Sequence, residues 1–125
     1  MNSIRRALVV DDDDDLLSLC KVTLRRCTPW QVVVASSAEA AIAAACAEPP
    51  DVILLDVMMP DGGGLALLSR LKQNKATAGV PVVLMTAAVT EAAELLTHGA
   101  AGLIPKPFDP TALPERIVQI LRGTA

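Results

Sequence analysis

Val52-Ile53-Leu54-Leu55-Asp56-Val57-Met58-Met59-Pro60-Asp61-Gly62-Gly63-Gly64 is the stretch that decides the fold of this chain. A continuous apolar run of this length, bounded by Pro49-Pro50 and Pro60, reads as a buried strand of a parallel sheet. The strand carries one carboxylate, Asp56, to its C-terminal end, against a Pro/Gly-rich turn. In open α/β sheets that edge is where ligands and chemistry sit.

Working outward, three other apolar runs also end in polar groups. Leu8-Val9-Val10 ends in Asp11-Asp12, Val82-Val83-Leu84-Met85 in Thr86, and Gly102-Leu103-Ile104-Pro105 in Lys106-Pro107. An acid pair, an acid, a hydroxyl and an amine, each at a strand exit, converge on one pocket if the strands are parallel neighbours.

Helical signals separate these runs. Leu16, Cys20, Leu24 and Cys27 recur at helical spacing, and Ser36-Ser37-Ala38-Glu39 has the form of a capping box opening an alanine-rich helix to about Ala47. Gln31–Ala35 lies between them as a further strand. Leu65, Leu68 and Leu71 share one face of a third helix. Glu91–His98 reads as a fourth, stopped by Gly99. Asp109-Pro110 opens a fifth, with Leu113, Ile117, Ile120 and Leu121 as its apolar face. Pro114 falls beyond the donor-free first turn counted from Asp109, so it is expected to disturb that turn. Five βα units imply one parallel α/β sheet covered on both faces by right-handed crossovers. Pro105 removes a ladder donor, which puts the fifth strand at a sheet edge, as in the flavodoxin-like, doubly wound order 2-1-3-4-5.

At 125 residues the chain reads as one domain, with a core from about Arg6 to Arg122. Its 20 alanines imply close contacts between helices and sheet. A net charge of −3, with no clustered basic patch, argues against nucleic-acid binding. No apolar run reaches the roughly 18 residues that span a membrane, and the N-terminus lacks a signal-peptide pattern, so a cytoplasmic location is expected. Cys20, Cys27 and Cys46 lack CxxC spacing and read as buried small hydrophobes in a reducing compartment. Asp13 and Asp14 read as solvated charge, with Asp15 as the cap of the first helix. Lys72 and Lys75 read as exposed charges, and His98 as a helix-end residue without a catalytic role.

Taken together, Leu8-Val9-Val10-Asp11-Asp12, Ile53-Leu54-Leu55-Asp56-Val57-Met58-Met59-Pro60-Asp61-Gly62, Val83-Leu84-Met85-Thr86-Ala87 and Lys106-Pro107-Phe108 resemble the receiver domain of two-component response regulators. The resemblance covers nearly the whole chain and is similar in kind to stand-alone chemotaxis regulators. It implies that Asp56 is the phosphoacceptor in a phosphorelay. It implies that Asp11, Asp12, Asp56 and the Met58 carbonyl hold Mg²⁺ or Mn²⁺, and that Thr86 and Lys106 bind the phosphoryl group. The Lys106–Pro107 bond is cis by the same resemblance. The implied donor is a sensor histidine kinase or a histidine phosphotransfer protein. The implied output is altered affinity for a downstream protein, with no enzymatic role beyond autophosphorylation from small donors and autodephosphorylation.

The chemistry suits these residue types. A carboxylate can attack a phosphoryl group and form an acyl phosphate. Its obstacle is charge, because two like charges ~4 Å apart cost about 4 kcal/mol at an effective dielectric of 20. A divalent cation held by carboxylates reverses that cost, with Asp12 as the expected direct ligand and Asp11 acting through water. Lys106 adds a compact positive charge.

Two features depart from the family pattern. Leu103 stands where many receivers carry Tyr or Phe, and the stretch from Thr86 to Lys106 is about two residues shorter than usual. A phosphorylation-independent scaffold is therefore one alternative. An aspartyl-phosphate phosphatase is another, although haloacid-dehalogenase-like enzymes want a second Asp where Met58 stands.

Overall fold

The computed structural model describes residues 4–59, 63–87 and 93–123. Five strands, β1 (Arg6–Val10), β2 (Gln31–Ala35), β3 (Val52–Asp56), β4 (Val82–Thr86) and β5 (Gly102–Pro105), form one sheet in the order β2-β1-β3-β4-β5. All its neighbours pair in parallel. The helices are α1 (Asp14–Cys27), α2 (Ala38–Ala47), α3 (Gly63–Gln73) and α4 (Leu113–Leu121). Two short 3₁₀ helices, Ala93–His98 and Pro110–Ala112, complete the order. The expected fold and strand order are those observed, and Pro105 lies on the edge strand.

The alternation of strand side chains splits the core into two layers. Ala7, Val9, Val52, Leu54, Val83 and Met85 pack with Leu17, Cys20 and Leu24 of α1 and Leu113 and Ile117 of α4. Leu8, Val10, Ile53, Leu55, Val82 and Leu84 pack with Ala41 and Ala45 of α2 and Leu67, Leu68 and Leu71 of α3. Both faces of β3 are thus covered, which is why it reads as an uninterrupted apolar run. Trp30, just before β2, is buried in the first layer.

Several expectations are corrected. The cap of α1 is Asp13, whose Oδ1 accepts from the amides of Asp15 and Leu16; Asp13 is exposed as read, but it takes the capping role expected of Asp15. Starting at Asp14 turns Leu17 fully into the core, leaves Leu16 half-buried against its edge and leaves Cys27 exposed. In α3, Leu65 is 45% exposed and Leu67 takes its place. Ser37 caps α2 by accepting from the Ala40 amide, while Glu39 pairs with Arg70 of α3 at 2.6 Å, so the expected capping box does not form. The described part of the expected fourth helix, Ala93–His98, is 3₁₀; Glu91 lies outside the described residues.

Pro114 disturbs nothing. Asp109 caps the 3₁₀ turn Pro110–Ala112 by accepting from the Thr111 amide, and α4 begins afresh at Leu113. The missing N–H of Pro114 therefore falls in a first turn, where helix donors have no intrahelical partner.

β5 approaches α4 closely at Gly102. A Cβ added there would sit 2.5 Å from Cγ2 of Ile120. Ile120 is β-branched and cannot swing this methyl away cheaply. Gly102→Ala is expected to lower stability by about 1–3 kcal/mol, the usual cost of overpacking. Combining it with Ile120→Ala should cost less than the two single changes added together. Urea denaturation of the four proteins measures this, and simple additivity would count against the contact.

Candidate functional site

The sheet register aligns the polar strand exits. Val10 pairs with Leu55, Asp56 with Met85, and Thr86 with Pro105. Backbone bonds lock each exit in place: the Asp11 amide donates to Ala35 O (3.2 Å), Val57 N to Met85 O (3.1 Å) and Lys106 N to Thr86 O (2.8 Å). Asp11, Asp56, Thr86 and Lys106 therefore lie along the same C-terminal edge, with Asp12 one residue on from Asp11. Met58 sits in the turn after β3 with its side chain 66% exposed.

One carboxylate oxygen from each of Asp11, Asp12 and Asp56 lies within 4.8 Å of the others. Asp11 and Asp56 are 1% and 3% exposed, whereas Asp12 is open to solvent. Lys106 reaches between the buried pair, with Nζ 2.8 Å from Asp11 Oδ2 and 3.4 Å from Asp56 Oδ1. Each buried carboxylate also accepts a backbone amide, Asp13 N to Asp11 Oδ1 (2.9 Å) and Met58 N to Asp56 Oδ1 (3.2 Å). The Lys106–Pro107 bond is cis. Gly64 lets α3 start against this edge, since a Cβ there would lie 2.9 Å from Val57 Cα.

Burial raises the Asp56 pKa above the usual carboxylate value, and the charge of Asp11 adds to it; the Met58 amide and Lys106 oppose the rise without cancelling it. Burial works against the charge on Lys106, but its hydrogen bond to Asp11 and the charge of Asp56 outweigh burial and hold its pKa above the ordinary lysine value. Cys20 lies on the α1 side of the core, where burial, with the charge of Asp11, pushes its thiol up to about 11. It stays protonated, which fits a packing role and not a ligand or nucleophile.

Three oxygen donors this close, one of them facing water, suit a hard divalent cation that prefers oxygen ligands and keeps part of its hydration. An ammonium already lodged against two of the three shows that the pocket holds positive charge. Sequence reasoning placed Lys106 near the acceptor but missed that its shorter contact is to Asp11. It also missed that Asp13 braces Asp11 through its amide; an Asp two residues upstream of an amide was the available signal.

An open parallel α/β sheet with a carboxylate cluster and a lysine at its C-terminal edge defines a class of phosphoacceptor-like sites. A family model for the response regulator receiver domain matches residues 7–118. The transcriptional regulatory protein GltR of Pseudomonas aeruginosa is 34% identical over 120 residues, covering 94% of this chain and 49% of that protein. The phosphate regulon transcriptional regulatory protein PhoB of Escherichia coli is 35% identical, covering 94% and 52%. The chain spans about half the length of these curated relatives. Among solved structures, the chemotaxis response regulator CheY4 of Vibrio cholerae superposes with a TM-score of 0.85 at 25% identity, covering 94% of this chain and 99% of that one. A CheY-like receiver domain protein from Methanospirillum hungatei gives 0.83 at 30% identity, covering 97% and 96%.

The chain belongs to the response regulator receiver domain family. Receiver domains of two-component systems accept a phosphoryl group on an aspartate, use Mg²⁺, and are phosphorylated by histidine kinases or phosphotransfer proteins. No helix among the described residues is long and apolar enough to cross a membrane.

Proposed function

We propose that Asp56 is the residue this domain phosphorylates. The observation that carries the reading is the placing of the Asp56 carboxylate beside Asp11, Asp12 and Lys106 at one strand edge. An Asp56 oxygen attacks phosphorus in line with the departing group. The P–N bond of a phosphohistidine donor breaks, or the P–O bond of a small acyl phosphate, and the donor leaves with the electron pair. Lys106 supplies a fixed positive charge beside the incoming oxygens, and the Thr86 hydroxyl at the neighbouring strand exit is a donor to them.

Asp11, Asp12, Asp56 and the Met58 carbonyl are the proposed holders of Mg²⁺, with Mn²⁺ as a substitute. When bound, the cation neutralises the charge that gathers between the carboxylates and the phosphoryl oxygens. Asp12 is the proposed direct ligand, because it is exposed, while Asp11 is already occupied by Lys106 and the Asp13 amide. Asp11 then acts through water.

On this reading the chain is a single receiver unit acting in the cytoplasm. It is a phosphoacceptor and not an enzyme with a turnover substrate, and its output is a change in affinity for a downstream protein. The test is mass spectrometry after incubation with acetyl phosphate and Mg²⁺. One added phosphoryl group, removed by hydroxylamine or alkali, is expected. No mass increase with this donor or with a phosphorylated phosphotransfer protein would overturn the reading in favour of a scaffold.

A further inference from the structure

The described part of the connection between β4 and β5 anchors one side chain, Leu95, in the core. Ala93–His98 is 3₁₀, a geometry with poorer hydrogen bonds than the α-helix. Leu95 is buried, while Ala93, Glu94, Leu96, Thr97 and His98 are exposed.

The stretch that leads into β4 is built differently. Asn74 organises it by accepting from the Ala76 amide through Oδ1 and from the Thr77 and Ala78 amides through its carbonyl. Thr77 is fully buried, its hydroxyl donates to Leu71 O at 2.6 Å, and its carbonyl accepts from Val80 N. This turn is a densely hydrogen-bonded base at the end of α3.

Lys72 joins the two. Its ammonium donates to Val80 O at 3.3 Å and to Ala78 O at 3.5 Å, so its head is held by the base. Its stem runs along Gly99, the residue that follows the 3₁₀ helix. A Cβ on Gly99 would meet Cε, Cδ and Cγ of Lys72 at 3.5, 3.9 and 4.0 Å. Gly99 has φ +102°, where a side chain is strained, so glycine supplies both the turn and the flat surface the stem covers. A long cationic side chain can pack its methylenes on one segment while its head serves another.

We propose that Lys72 is a positioning residue that straps the outgoing turn of the 3₁₀ helix to the base of α3, and so sets how Ala93–His98 and the turn at Gly99 are held. Lys72 was expected from sequence to be an exposed charge; it is half-buried. The strap belongs to the unmodified chain and stands whether or not Asp56 is the phosphoacceptor.

Hydrogen–deuterium exchange of the unphosphorylated chain tests it. Lys72→Ala removes head and stem, and should speed exchange across residues 93–99 about tenfold, the scale set by losing a charge-assisted hydrogen bond and its packing. Lys72→Met keeps most of the stem and should give a smaller acceleration there. Peptides of β1 and β3 should exchange as before in both. Unchanged exchange over 93–99 in both variants would overturn the proposal. So would an equal acceleration throughout the sheet, because that is general loss of stability and not a local strap.

Discussion

Asp56→Asn is expected to remove all transferable phosphoryl from the chain while making the folded domain more stable at neutral pH. The first effect is chemical. Asparagine has nearly the shape of aspartate but a neutral amide in place of the nucleophilic carboxylate, so no acyl phosphate forms. The added mass seen with acetyl phosphate and Mg²⁺ should fall to background. Full labelling of the variant would move the acceptor elsewhere.

The second effect follows from burial. Asp56 is 3% exposed, and desolvation with the charge of Asp11 outweighs the help of Lys106 and the Met58 amide, so its folded-state pKa lies above its unfolded one. The folded chain therefore holds this proton more tightly than the unfolded chain. Its contribution to stability is full below the ordinary carboxylate range and is lost as pH rises through the raised pKa. At neutral pH the ionised group costs stability, and the Asn variant avoids that cost. The advantage should be clear in urea denaturation at pH 7 and should disappear near pH 3.5. A variant no more stable at pH 7 would mean that the 3.4 Å contact with Lys106 outweighs desolvation.

Asp12→Ala should weaken Mg²⁺ binding at least about tenfold, since the site has few protein ligands and loses a carboxylate. Fold stability should stay within about 0.5 kcal/mol of the parent, because Asp12 is exposed and caps no helix; Asp13 has that role. Calorimetric titration separates the two readouts. Unchanged affinity would place the cation away from Asp12, and a large loss of stability would mean that the side chain has a structural part beyond the contacts described.

Both predictions rest on side chains that were readable as candidates before any coordinates. Buried parallel strands are announced locally: the apolar runs at Leu8, Val52, Val82 and Gly102 each stop at a polar residue, and the hydrogen-bonding geometry of a parallel sheet aligns those stops. Fold class and the candidate Asp56, Asp11, Asp12, Thr86 and Lys106 were legible for that reason, and so was the edge position of the proline-containing strand, while the strand order came from likeness to the flavodoxin-like order.

Helix faces were less legible. Leu16-Leu17 and Leu65 to Leu68 offer adjacent apolar residues, and periodicity alone cannot say which of two neighbours meets the sheet. The cap decides it: once Asp13 starts α1, Leu17 faces the core and Cys27 the solvent. Pro114 was misread in the same way, because the break between the 3₁₀ turn and α4 restarts the count of free donors. That distant strand exits meet was legible; which side chain pairs with which was not. The ion pair of Lys106 with Asp11 spans 95 positions, and the hold of Lys72 on Val80 and Gly99 depends on where the end of α3, the stretch before β4 and the turn at Gly99 meet. Which groups stand at the edge is written in short stretches of chain. Which charge faces which is set by the packing of those stretches, since a long flexible side chain takes the partner that burial leaves nearest.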